Sequence, residues 1–405
     1  MRRILTAILL FFSICGCLNA QTDTSNINVR LKEIETELKS NPLLKKQYDD
    51  LTFYYSQVMK SQADSLGNNG FKLTGYLDAY YAHYSDRLPL GAYQKFPTSA
   101  PVSDAFGLNM AMLSVQYQNE NVNGVLTCHA GDIATSAWSN KYNFIQEAHV
   151  GLRLIKKLWL EGGYFRTHLG FESIQPRENI GTSVALTTYY EPYYLSGAKL
   201  TYYLNNKLSV QVNAFNGFNT FVAINKKKTY GFTTVYEANK NFIVSFNSLL
   251  SNEQPDSVLF SKRRLYNDLY FAYKSKRFNV GFEANFGLQE NSDLEDSTKT
   301  AYMFSMTLAG KYKIKNDKYS VYARLELFDD RNEILTGPVN NANHQLVGIN
   351  AFGGNAGVEF KPLSNSYLRF EARYIHLWNN ENIFYNHNKY SNVRMEWIAA
   401  MGVWF

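Results

Sequence analysis

This chain predicts a closed, antiparallel, up-and-down transmembrane β-barrel of about sixteen strands behind a short helical extension. Three observations predict it. From Phe71 onward apolar residues recur at every second position, and the positions between them carry charge. Tight turns alternate with long connections along the whole stretch. The last segment, VRMEWIAAMGVWF, sets Val393, Met395, Trp397, Ala399, Met401, Val403 and Phe405 on one face. A sheet in water hides such a face, whereas a barrel in a bilayer turns it to lipid.

Composition agrees. The chain is 15% aromatic, with 30 Tyr and 27 Phe, and only 19% charged, below the usual share of about a quarter for soluble proteins. Beyond residue 20 no apolar run approaches the ~20 residues that a spanning helix needs. Hydrophobicity is therefore carried in alternation. The net charge of +6 is mild, and Lys226-Lys227-Lys228 is too small a cluster for a nucleic-acid surface.

The elements follow in order. Arg2 and Arg3 precede an apolar run from Ile4 to Cys17, and Leu18-Asn19-Ala20 offers a small-residue cleavage site. That is an export signal over residues 1–20. A second reading makes Cys17 a lipidation site. Cys128 is then the one certain mature cysteine, so no internal disulfide is expected. Residues 21–69 read as a periplasmic helical extension. Ile27, Leu31, Ile34 and Leu38, then Leu44, Tyr48, Leu51, Tyr55 and Val58, keep helical spacing on either side of Asn41-Pro42. This is either an amphipathic packing segment or a short coiled coil that would oligomerise the barrel.

Residues 70–405 read as the barrel. Strands are expected near 71–84, 106–118, 121–131, 143–155, 158–166, 193–204, 207–217, 228–237, 241–250, 266–274, 277–288, 301–314, 318–328, 346–360, 366–378 and 393–405. Phe278, Val280, Phe282, Ala284, Phe286 and Leu288 face lipid on one strand, and Val321, Ala323, Leu325 and Leu327 on another. Short turns such as Asn119-Glu120, Lys156-Lys157 and Ser275-Lys276 belong to the periplasmic end, and the longer connections to the outside. An even strand number brings both barrel ends to the periplasm. Gly353-Gly354 and Gly357 suggest either a bulge or bend in their strand, the favoured reading, or a close approach by a loop or a neighbouring subunit. The terminal strand, with Trp397, Met401, Val403 and Phe405, has the form of the assembly signal of bacterial outer-membrane barrels.

About sixteen strands leave an aqueous lumen, whereas about eight fill themselves with side chains. The inner positions are Asp78, Glu147, His149, Arg153, Glu161, Glu283, Arg324, Glu326, Glu359, Arg369, Glu371, Arg373, Arg394 and Glu396. Arg324, Arg369, Arg373 and Arg394 form either a basic ladder with a transverse field, or ion pairs that stiffen the wall. The longest loop, about 167–192, carries His168, Glu172, Arg177, Glu178 and Glu191. It either narrows the lumen or lies on the surface. No His-Glu-x-x-His helix, Gly-x-Ser-x-Gly elbow or Cys–His cluster occurs. Glu147 and His149 share an inner face and could act as an acid–base pair, but no nucleophile with matching spacing stands out. No metal site and no cofactor are expected.

Gly70 through Tyr84, GFKLTGYLDAYYAHY, resembles the first strand of the putative β-barrel porin family called OmpL-like. Leu160 to Ser173, LEGGYFRTHLGFES, resembles that family's central Gly-x-Phe-x-Thr-x-x-Gly-x-Glu pattern, matched by Gly163, Phe165, Thr167, Gly170 and Glu172. The continuation through Tyr189-Tyr190-Glu191-Pro192, Ser196-Gly197 and Asn216-Gly217-Phe218 is similar too. The resemblance covers most of 70–405 and implies a passive outer-membrane porin. It brings no functional residues to carry over. The expectation is a water-filled channel for passive diffusion of small hydrophilic solutes or ions. Its partners would be outer-membrane lipid, the barrel assembly machinery and small polar solutes, without nucleic acid. Homo-oligomerisation stays open. The alternatives are a barrel enzyme working through Glu147 and His149, and a structural or adhesive barrel with an occluded lumen.

Overall fold

Alternation of apolar and polar side chains becomes a wall with two chemically distinct faces. The computed structural model describes residues 70–405, apart from residues 87, 90, 95, 97, 98, 259, 316, 380, 387 and 388. The export signal expected over 1–20, its Cys17 alternative and the helical extension over 21–69 lie outside the described residues.

The strands are β1 (Phe71–Tyr84), β2 (Ala105–Gln118), β3 (Val122–Ala130), β4 (Ile145–Ile155), β5 (Leu158–Arg166), β6 (Tyr194–Tyr203), β7 (Leu208–Phe215) and β8 (Thr229–Asn239). They continue with β9 (Phe242–Ser251), β10 (Arg264–Lys274), β11 (Phe278–Gln289), β12 (Ala301–Ile314) and β13 (Tyr319–Asp330). A short ribbon of β14 (Val339–Asn340) and β15 (Leu346–Val347) precedes β16 (Ile349–Phe360) and β17 (Ser366–Leu377). A second ribbon, β18 (Phe384–Asn386) with β19 (Lys389–Ser391), precedes β20 (Val393–Trp404). Sixteen of these close into one barrel in chain order, each antiparallel to its neighbours, and the ribbons sit in the last two long loops. All sixteen strands fall where the sequence places them.

Closure is made by β1 and β20, with Tyr76 opposite Trp404 and Tyr84 opposite Glu396. The final residue takes part: Phe405 and Gly75 exchange backbone hydrogen bonds of 3.1 Å in both directions. The Phe405 ring lies over Gly75, where a side chain would collide with it.

The faces sort as the alternation requires. On β13, Leu325 is 68% exposed on the outer wall while Arg324 beside it is 2% exposed inside. Leu77, Val150, Phe370, Met401 and Phe405 continue the outer apolar band. The expected bulge at Gly353-Gly354 and Gly357 is absent, because β16 pairs with β13 and β17 without a register shift. These glycines make room instead: a side chain at Gly357 would meet the Tyr322 hydroxyl, and one at Gly353 would overlap the Tyr374 carbonyl.

The inner face is not polar throughout. At the long-loop end, Phe165, Phe215, Leu249, Tyr266, Phe328, Ile375 and Leu377 point inward and pack with Phe96, Leu169, Leu186, Ile334 and Phe384 from the loops. Several long loops are thus drawn into the mouth of the barrel. Aromatic edges contribute, with Phe96 meeting Phe384 at 5.9 Å and Tyr190 stacking on Phe328 at 5.7 Å.

Below the root of the longest loop, Gly163 on β5 and Gly197 on β6 stand opposite each other in register. Both adopt positive φ, at 138° and 154°, and a Cβ at either would overlap a carbonyl oxygen, of Ala148 and Ala214 respectively. Gly163→Ala and Gly197→Ala should therefore each cost roughly 1–3 kcal/mol of stability. Gly310→Ala on β12, where nothing lies within 4 Å, should be nearly neutral. Denaturant midpoints of the detergent-folded barrel test this, and a Gly197→Ala midpoint equal to that of Gly310→Ala would refute the strain argument.

Candidate functional site

The connection from β5 to β6, residues 167–193, turns into the barrel. Its root is closed by the Thr167 amide donating to the Tyr193 carbonyl at 3.0 Å. A 3-10 turn at Pro176–Glu178 and a helical turn at Leu186–Tyr190 shape the rest. Two internal anchors hold that shape. The Ala185 amide and the Thr188 hydroxyl both donate to Glu172 Oε2, at 2.7 and 3.1 Å. Asn179 and Ser173 bond each other through side chain and backbone.

Wall residues of β13 and β17 then bind the loop backbone. Arg324 donates from Nη1 to Glu172 Oε1 at 3.0 Å and to the Ser183 carbonyl at 2.5 Å, and from Nη2 to the Val184 carbonyl at 3.0 Å. Arg369 donates to the carbonyls of Pro176, Gly181 and Asn179 at 2.7, 2.6 and 3.2 Å. Glu371 accepts from the Thr182 and Ser183 amides at 2.7 and 3.1 Å and from the Ser183 hydroxyl. Glu326 accepts from the Leu186 amide at 2.6 Å. Other strands add single contacts. The Arg177 amide donates to the Tyr76 hydroxyl at 3.1 Å, Gln175 to Gln146 at 2.8 Å and the Phe171 amide to Glu283 at 3.2 Å.

The arginines that left two readings open are paired. Arg373 meets Glu326 at 2.9 Å, Arg394 meets Glu396 at 2.6 Å and Arg369 meets Glu359 at 2.6 Å, all buried. Asp78 accepts from the Tyr76 hydroxyl at 2.8 Å, from Asn109 at 2.5 Å and from the Tyr367 hydroxyl. Arg153 sits apart near the turn end, bonded to Asn121 at 2.8 Å. Trp397, Met401, Val403 and Phe405 are exposed on the outer face of β20 and the terminus.

A less tightly packed wall faces the loop from the other side. Glu147 on β4 meets His149 at 3.1 Å and Arg166 at 3.5 Å, and Arg166 reaches Glu178 of the loop at 3.1 Å. The Lys199 ammonium from β6 rests 4.1 Å over the Phe165 ring. These charged groups, Glu178 included, stay partly exposed. Within the loop's fold lies a cavity of about 190 Å³, lined mostly by the loop's own residues, His168, Glu172, Glu178 and Tyr193 among them, with Arg166 of β5 and Tyr270 of β10. That is smaller than the ~300–1,000 Å³ typical of a ligand pocket.

Electrostatics separate the loop's titrating groups. Burial, with Lys199 adding to it, pushes the His168 imidazole down to about 3, so it is neutral. Burial works to raise the Glu178 carboxyl, but Arg166, then Ser173 and Arg177, hold it below its ordinary range. Arg177 itself lies over the Tyr76 ring at 4.8 Å.

The sequence reading overlooked Arg166, Lys199 and Asp268. Asp268 shares the inner face of β10 with Tyr266 and Tyr270, so the period-two signal was present. Arg166 closes its strand, where alternation ends. Gly163, Phe165, Thr167, Gly170 and Glu172 fall on the strand-to-loop hinge, where Thr167 Oγ1 accepts from the Leu169 amide at 3.1 Å.

A family described as putative beta-barrel porin-2, OmpL-like, matches residues 70–405. No curated protein matches the chain. Among solved structures, OmpF of Salmonella typhi, in complex with daunomycin, superposes with a TM-score of 0.55 at 15% identity, over 84% of this chain and 99% of that one. An anion-selective porin of Comamonas acidovorans gives 0.54 at 10% identity, over 84% and 100%. The outer membrane channel DcaP of Acinetobacter baumannii gives 0.53 at 11%, over 85% and 100%. At such identities the likeness establishes the fold.

The Glu178 ion pair carries a pH signature. Its folded pKa lies below the ordinary 4.5, so its stabilisation is complete above that value and is lost as pH falls through the folded one. Wild type should melt above Glu178→Gln near pH ~7, and the gap should shrink as pH falls below the ordinary carboxylate range. Thermal unfolding across that range checks it, and a gap independent of pH would exclude the ionised pair.

Proposed function

We propose, from the premise that the chain belongs to the putative beta-barrel porin-2, OmpL-like family and is therefore an outer-membrane porin, that small hydrophilic solutes cross between the infolded loop and the wall of β4, β5 and β6. One observation carries this reading: the loop's seat is asymmetric. Against β13 and β17 its backbone is hydrogen-bonded to buried Arg324, Glu326, Arg369 and Glu371. Towards β4–β6 the charged groups keep some access to water.

In this reading the inner residues divide in two. Arg324, Glu326, Arg369, Glu371, Arg373, Arg394 and Glu396, with Glu172 of the loop, hold the constriction in place. Glu147, His149, Arg166, Glu178 and Lys199 meet the solute. Acidic and basic groups facing each other across a narrow gap set up a transverse field, which orients polar solutes. Neutral His168 packs the loop root and adds no charge, and Arg177 is held on Tyr76. Catalysis is not part of this reading. Glu147 is taken up by a hydrogen bond to His149 and an ion pair with Arg166. Outer-membrane lipid would cover the apolar band, and the barrel assembly machinery would read the face of Trp397, Met401, Val403 and Phe405.

Single-channel conductance of the folded barrel in a planar bilayer tests the path. Removing one partner of a buried ion pair costs roughly 3–5 kcal/mol. Arg324→Ala combined with Arg369→Ala should therefore unseat the loop and raise the conductance step several-fold over a small wild-type step. Unchanged steps in a folded variant would place the constriction elsewhere, and a silent wild-type barrel would remove the proposal.

A further inference from the structure

Three carboxylates from three parts of the chain meet inside the barrel: Glu191 at the end of the infolded loop, Asp268 on β10 and Glu283 on β11. One oxygen of each lies within 4.8 Å of the others. All three residues are almost fully buried, at 2%, 0% and 1% exposure. Elsewhere in the lumen buried carboxylates such as Glu172, Glu326, Glu359 and Glu396 are in ion pairs with arginine. Among the described residues, no Lys, Arg or His forms an ion pair with Glu191, Asp268 or Glu283. Their polar neighbours are neutral. The Tyr266 hydroxyl donates to Glu191 Oε1 at 2.5 Å, and Asn247 Nδ2 and the Gly170 amide donate to Asp268 Oδ2 at 2.5 and 3.3 Å. Asn285 Nδ2 and the Phe171 amide donate to Glu283 Oε1 and Oε2 at 2.7 and 3.2 Å.

A second observation points to a ligand. Glu191 comes from the loop, apart from the wall pair, and its buried Oε2 has no hydrogen-bond partner. That oxygen is aimed at the pair. A methyl placed on Gly170, whose φ is +69°, would sit 3.0 Å from Glu191 Oε2 and 3.1 Å from Glu283 Oε2, so both oxygens turn to one spot beside the glycine. Asp268 Oδ1 is buried and unpartnered as well, as are the amide oxygens of Asn247 on β9 and Asn285 on β11. Buried carboxylates without a positive neighbour are costly to ionise, and unfilled oxygen acceptors add to the cost. Only oxygen donors converge here, with no sulfur and no imidazole, which suits a hard divalent cation rather than a transition metal.

We propose that Glu191, Asp268 and Glu283 bind a divalent cation of the calcium class, which pins the returning end of the infolded loop to β10 and β11. The loop would then be fastened twice, by arginine on one wall and by a metal ion on the other. This does not depend on where solutes pass, because binding is read without conductance.

The test uses the full-length barrel folded in detergent, stripped with a chelator and titrated with calcium chloride by calorimetry. The melting temperature is followed in parallel, and magnesium chloride serves as comparison. The expected result is one saturable calcium site per chain and a calcium-dependent rise in melting temperature. Asp268→Asn with Glu283→Gln should weaken binding at least tenfold and abolish the rise. Glu191→Gln, which leaves the strands untouched, should do the same and guards against misfolding of the wall variant. No saturable binding by wild type would overturn the proposal in favour of carboxyls that share protons. So would wild-type calcium affinity in folded Glu191→Gln, which would place the ion elsewhere.

Discussion

A bilayer core offers no hydrogen-bond partner to a peptide group, so a spanning sheet must have no edge. In this chain the requirement is met where the first strand pairs with the last, down to the reciprocal hydrogen bonds between Gly75 and Phe405. The rest follows from that closure. Once sixteen strands close, the circle is too wide for wall side chains to fill it. The inner residues then need water, one another, or another part of the chain.

The infolded loop answers that need on one side. A guanidinium has five donors in a fixed fork and no acceptor, so a single carboxylate cannot satisfy it. Arg369 spends one donor on Glu359 and the others on loop carbonyls, and Arg324 divides its donors between Glu172 and the backbone at Ser183 and Val184. The loop has few regular hydrogen bonds of its own and gains in exchange partners for its carbonyls and amides. Wall and loop thus solve each other's polar accounting, which is why a long segment without much secondary structure holds one position. Apolar residues at the mouth, such as Phe328, Ile375 and Leu186, complete the seat by excluding water from it.

The strand list was legible because period two is a local signal and the bilayer enforces it on every strand. Phe278 through Leu288 and Val321 through Leu327 each announce their outer face without help from neighbours. The glycines of β16 left two readings open, since a bulge and a close approach leave the same mark in a sequence. The opposing Tyr322 ring and Tyr374 carbonyl distinguish the two, and they lie on the neighbouring strands β13 and β17. The infolded loop was legible in length and charge but not in destination. Arg166 and Lys199 escaped notice because a strand terminus and a lone lysine carry no periodic signature. The membership of residues 70–405 in an outer-membrane porin family accords with the hinge pattern from Gly163 to Glu172.

What the sequence determined by itself is therefore the wall: strand number, the lipid face of each strand and the placing of short turns and long loops. Each depends on residues close together in the chain. The tertiary structure alone decided which inner charges meet. Arg369 and Pro176 are 193 residues apart, Arg324 and Ser183 141, and the Gly170 amide reaches Asp268 across 98. Such pairs depend on register around a closed circle and on the path of a loop through its centre. A slip of one residue in β10, β13 or β17 would turn Asp268, Arg324 or Arg369 to the other face. No local pattern encodes that, because the register is set by the whole ring of strands at once.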